Sequence, residues 1–209
     1  MATRGDTAAA VQVRDIVLAV APVYAEYIYR LRGARISYAG YPERCNWGRL
    51  GIFADYDWPA ILCVLYRQLD DAGVMADDQR QTYRALVECM LENVTLPFTR
   101  QIRGLGNPMG QLWYDCVLAA RTFPALRIRD LAFEEGPGSP RVLTAPDLIH
   151  DCIEGRFGVS NILANYFTSD GLCLERTPAY HAMTITLLER LFDAMQNYCD
   201  PQDYVPLNP

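Results

Sequence analysis

Apolar residues recur along most of this chain at the three-and-four spacing of a helix face, and local stop and start signals cut the pattern into separate helices. Val13, Ile16, Val17, Val20, Tyr24, Tyr27, Ile28 and Leu31 predict a helix over 10–32, kinked or split at Pro22. A stretch rich in glycine and aromatics over 33–54 reads as a loop. Asp57-Trp58-Pro59 then opens a helix running to about Asp71, with Trp58 facing the core. Asp77 is expected to cap a helix near 78–96 that buries Tyr83, Leu86, Val87, Met90 and Leu91 and stops at Pro97. Residues 103–110 form a glycine-rich turn before a helix near 110–123. Thr144-Ala-Pro-Asp147 has the form of a capping box opening a helix over 146–166. Thr177-Pro178 opens the last helix, with Met183, Leu187, Leu188, Leu191 and Met195 inward. No alternating strand stands out, so the fold class expected is all-α, built of antiparallel helix pairs.

Composition sets outer limits. At 209 residues and 51% hydrophobic, the chain is long enough for one helical domain over 1–209 with its own core. The apolar runs are interrupted by charge, which predicts no membrane span. Residues 1–12 lack a basic start followed by an apolar run, so a complete chain would be cytoplasmic and an exported one would have lost its signal. Seven cysteines at wide spacing, mostly among apolar helical neighbours, read as buried thiols, and with two histidines and no Cys-x-x-Cys they predict no metal site. No cofactor motif occurs.

Every one of the 19 basic residues is arginine. Lysine Schiff-base chemistry and a Walker loop are therefore excluded from this chain, and every cation is a planar group suited to carboxylate, sulfate or phosphate. The net charge of −6 argues against nonspecific nucleic-acid binding. Charge is nevertheless uneven, with a local +3 over residues 100–130 that could face an anion or simply solvent.

The most specific segment runs from Thr168 to His181: Asp170-Gly171, Glu175-Arg176, Thr177-Pro178, Tyr180-His181. It delivers a tyrosine and a histidine into the first turn of an amphipathic helix. In this order it resembles the active-site segment of the heparinase II/III-like polysaccharide lyases, most strongly over 168–192 and less so over 100–123. That resemblance implies an (α/α) toroid, of which this chain would form an incomplete or shortened part. It also implies β-elimination on a uronic-acid glycan. A base removes the proton at C5, beside the carboxylate, and an acid protonates the departing glycosidic oxygen.

By the same resemblance Tyr180 is the proton-transferring residue, with His181 beside it. Asn107, in Arg103-Gly-Leu-Gly-Asn107-Pro-Met-Gly-Gln111-Leu-Trp113, neutralises the substrate carboxylate, and Arg103, Gln111, Trp113, Glu175 and Arg176 are candidate substrate-binding residues. A phenol is a weak acid, so the chemistry calls for cationic neighbours and a helix N-terminus. Arg176 and the free N–H groups after Thr177-Pro178 fall in that neighbourhood. Adjacent helical residues point ~100° apart, so Tyr180 and His181 cannot face one substrate atom equally.

The partner expected is thus an acidic polysaccharide or oligosaccharide, not nucleic acid or membrane. The alternative is a noncatalytic helical module binding an anionic glycan or a protein through the same surface. A partial toroid would also leave helix faces uncovered, which predicts self-association through an exposed apolar face.

Overall fold

A computed structural model describes residues 6–33, 58–96, 108–130, 141–155, 158–174 and 177–205. The chain is predominantly helical, and it divides into two compact units, Met1–Val94 and Thr95–Pro209.

In the first unit, α1 (Thr7–Gly33), α2 (Trp58–Asp71) and α3 (Asp77–Met90) pack together, and α3 runs on into a π-helical turn over Leu91–Thr95. Pro22 lies within α1 without ending it. The α1 face that is buried is narrower than the periodicity suggested. Ala10, Val17 and Ala21 are covered, whereas Ile16, Val20 and Val23 are exposed. Small residues let α1 approach its neighbours, and the larger aliphatics fall to one side. Arg14 fixes the approach by donating Nη1 to the Val74 carbonyl (2.7 Å) in the α2–α3 connection while pairing with Asp15.

That connection turns at Gly73, whose φ of 67° lies in the left-handed region glycine tolerates best. Asp77 is not the cap of α3. Ala76 holds the N-cap position, its N–H donating to Gln79 Oε1 (3.0 Å), and Asp77 instead pairs with Arg80 (2.9 Å) in the first turn. Trp58 is half-exposed rather than core. The centre of the unit is Tyr83, fully buried, with its hydroxyl donating to the Leu62 carbonyl (2.9 Å) and its ring meeting Tyr66 edge-on. Burial pushes the Tyr83 hydroxyl far above its ordinary pKa.

The absence of a membrane span in the sequence reading also needs correction. Thr7–Glu26 is long and apolar enough to cross a membrane by length and composition. Buried core helices and signal sequences meet the same measure, and the Arg14 contacts belong to protein packing.

In the second unit the central helix is α4 (Pro108–Thr122), packed against α5 (Ala145–Glu154) and α7 (Pro178–Met195). Gly110 lets α4 and α7 come close, since a Cβ there would sit 3.0 Å from Leu187 Cβ. Thr184, Leu187, Leu188 and Leu191 are the buried residues of α7, whereas Met183, expected inward, is half-exposed.

The expectation of no strand is overturned. Arg127–Asp130 (β1) and Arg141–Thr144 (β2) form an antiparallel ribbon in which Ile128 faces Leu143, both fully buried, and Asp130 faces Arg141. The second strand feeds directly into α5 through the expected cap. The Asp147 carboxylate accepts from the Thr144 N–H (2.8 Å) and hydroxyl (2.6 Å), satisfying the start of the helix.

The single helix expected over 146–166 is two. α5 ends at Gly155, and α6 (Val159–Asn165) restarts from Gly158. Both glycines are sterically required, because a Cβ at Gly155 would overlap the Asp151 carbonyl oxygen and one at Gly158 would press on the carbonyl oxygens of Cys152 and Ile153 (2.8 Å each). Gly155→Ala is therefore expected to cost ~1–3 kcal/mol, as other overpacking changes do, and to appear as a lower denaturation midpoint with unchanged slope.

Six cysteines fall within the described residues: Cys63, Cys116, Cys152 and Cys173 are buried, Cys89 partly covered and Cys199 exposed. Cys45 lies outside those residues.

Candidate functional site

Residues 166–174 form a tight reversal, and residues 177–180 form a helix start. Phe167 and Cys173 form an antiparallel bridge, Thr168 N–H donates to the Leu172 carbonyl (2.8 Å), and Leu174 N–H donates to the Tyr166 carbonyl (2.9 Å). The Asp-Gly signal read from the sequence is the tip of this reversal. Gly171 has a φ of 83°, and the Thr168 hydroxyl contacts the Asp170 carboxylate and the Leu172 carbonyl. Thr177 then caps α7 with its side-chain oxygen accepting from the Tyr180 N–H (3.2 Å), and Pro178 occupies the first turn, where its missing N–H costs nothing.

Tyr180 and His181 diverge as adjacent helical residues must. Tyr180 is half-exposed, and its hydroxyl makes no hydrogen bond among the described residues. Its backbone carbonyl accepts from the Thr184 hydroxyl (2.9 Å), which anchors the turn beneath it. His181 points to the reversal instead. Its Nδ1 accepts from the Cys173 N–H (3.4 Å), and its ring meets Phe167 edge-on at 6.3 Å. His181 thus ties the Asp-Gly reversal to the helix bearing Tyr180.

Two of the expected substrate-binding residues are buried. Trp113 is fully buried in α4, and Gln111 is buried with its amide donating to Asp115 Oδ1 (2.9 Å), so neither lines an open surface in this unit. Asn107, Arg103, Glu175 and Arg176 lie outside the described residues. Apolar side chains exposed near Tyr180 in sequence are Leu172 and Leu174 on the reversal and Met183 one turn along α7. Among the described residues no group of three metal-ligating side chains occurs.

One polar cluster was missed by the sequence reading. His150 and Asp147 of α5 meet Asp200 and Tyr204 from beyond α7 through contacts that span fifty and 57 residues, and Tyr198 joins through Asp200. The available signal was that His150 is one of only two histidines. Nothing in local spacing pointed to its partners.

No protein-family model, curated protein or solved structure matches the chain.

Proposed function

We propose that this chain is part of the (α/α) toroid of a heparinase II/III-like polysaccharide lyase and that Tyr180 transfers protons in β-elimination on a uronic-acid glycan. The observation that carries the reading is the position of Tyr180. Tyr180 is half-exposed in the first turn of a capped helix, and the positive N-terminal end of the helix dipole favours a developing phenolate. In the reaction the phenolate takes the C5 proton, the electron pair forms the C4–C5 double bond, and the C4–O glycosidic bond breaks. The resulting phenol protonates the departing oxygen. Asn107 would stabilise the negative charge gathering on the substrate carboxylate, with Arg103, Glu175 and Arg176 around the sugar.

Each cleavage leaves a double bond conjugated to the carboxylate, so ultraviolet absorbance separates elimination from hydrolysis. A rise on incubation with a uronic-acid glycan is the expected result. Its absence across acidic glycans would remove the lyase reading.

The second reading, a noncatalytic binding module, is favoured by a separate observation. In the first unit α1 exposes Ile16, Val20 and Val23, and α2 exposes Trp58, Ile61 and Val64. Each set follows one helix face, and exposed apolar side chains grouped in this way mark interaction sites. The chain is expected to self-associate. Sedimentation velocity should show species larger than the monomer, and Val20→Glu should shift them toward it; a wild-type protein that stays monomeric at all concentrations would exclude this surface as a self-association site.

A further inference from the structure

α4 and α7 run in the same direction. Gly110, in the first turn of α4, lies against Leu187, and a Cβ on it would sit 3.0 Å from the Leu187 Cβ. At the other end of α4, Arg121 donates Nη2 to the carbonyl of Gln196 (3.3 Å), the residue that follows α7. The two contacts advance together along both helices, so the helix starts lie at the same end of the pair.

The starts are not level. Leu187 stands more than two turns into α7, whereas Gly110 is in the first turn of α4, so α7 overhangs the start of α4 by about 10 Å at ~1.5 Å per residue. The overhang carries Tyr180. Tyr180, Thr184 and Leu187 form one stripe on α7, at the four-and-three spacing that stacks side chains on a helix face. Thr184 and Leu187 are buried and Tyr180 is half-exposed, so the stripe is covered where α4 lies against it and opens beyond the start of α4.

Glycine at position 110 has a packing reason. Its φ lies outside the left-handed region, so the backbone does not call for glycine, and alanine would be the better helix former. What requires glycine is the close approach of Leu187. In the lyase reading this end of α4 carries the second half of the chemistry, because Asn107 directly precedes Pro108 in the sequence.

We propose that Gly110 is a positioning residue for the reaction at Tyr180: by admitting Leu187 where a side chain would hold the helices apart, it sets the separation between the start of α4 and the Tyr180 hydroxyl. The inference rests on the lyase reading. Gly110 touches no substrate and acts through the seating of α4 on α7.

Gly110→Ala tests this, with rates followed by ultraviolet absorbance on three uronic-acid polymers, hyaluronan, alginate and heparin. The added Cβ forces α4 and α7 apart by a few tenths of an ångström. A displacement near 1 Å can cost ~100-fold in rate, so kcat is expected to fall roughly ten-fold with KM little changed. The gain in helix propensity offsets the crowding, so the folded fraction measured by circular dichroism should match wild type. In a Tyr180→Phe background the same substitution should cost less than about two-fold, because residues that act as a unit are not additive.

Wild-type kcat in folded Gly110→Ala, or an equal ten-fold loss in both backgrounds, would overturn the proposal. Should Gly110→Ala not fold, Leu187→Ile decides in its place, since it adds a methyl at the same β-carbon while keeping the side-chain volume, and the same fall in kcat is expected. Absence of absorbing product from the wild-type protein would remove the lyase reading and this role with it. Elimination that Tyr180→Phe abolishes and Gly110→Ala spares would remove the positioning role alone.

Discussion

Tyr180→Phe is expected to lower elimination on a uronic-acid glycan by ~100-fold or more, the smallest loss usually attached to a positioned proton-transfer group. The substitution keeps the ring, its half-exposed packing and the backbone bonds to Thr177 and Thr184, because none of these involves the hydroxyl. Stability should therefore stay within about 0.5 kcal/mol of wild type, as for other surface changes that break no contact. The ultraviolet-absorbing product measures the first quantity and thermal unfolding the second. A fall in turnover with an unchanged melting curve is the pattern of a residue acting in the transition state. Wild-type turnover in Tyr180→Phe would reject Tyr180 as the proton-transfer residue. His181 should behave differently, since it binds the reversal at Cys173 and any loss there passes through the position of α7.

What the sequence made legible was mostly local. Thr177-Pro178 and Thr144-Asp147 were readable as helix starts because a cap satisfies donors within three residues of itself, and Asp170-Gly171 because a left-handed φ selects glycine. The β ribbon was not readable. Arg127-Ile-Arg-Asp is too short for a period, and Ile128 becomes a core residue only through Leu143, fifteen residues away.

The break at Gly155 and Gly158 was hidden for a related reason: apolar Ile149, Cys152, Val159 and Ile162 continue on either side, so hydrophobic pattern alone joins what backbone crowding separates. In α1 the apolar residues span more of the circumference than one neighbour covers. Periodicity could place the helix but not choose between the Ala10–Val17–Ala21 face and the Ile16–Val20–Val23 face. For the candidate site, the sequence identified the turn carrying Tyr180. Which of Tyr180 and His181 faces outward depends on the reversal folding back onto α7, a contact no spacing encodes.

Trp113→Ala should unfold the second unit more readily than any change at its surface. The loss expected is ~3–5 kcal/mol, the usual cost of truncating a buried tryptophan to alanine. Trp113 lies in α4 with Cys116, Val117 and Ala120 following at three, four and seven residues, all buried, so the spacing of a core stripe was present in the sequence. A tryptophan following a glycine-rich turn also has the look of a sugar platform, and the two readings predict different outcomes. A platform lost from an open subsite would raise KM and leave the melting temperature alone. A core residue lost from a domain whose whole stability is about 5–15 kcal/mol should lower the melting temperature by on the order of 10 °C or more, with activity falling only as folded protein is lost. Circular dichroism on heating, set beside KM for the glycan, separates them, and an unchanged melting temperature in Trp113→Ala would contradict the packing of α4 against α5 and α7 described here.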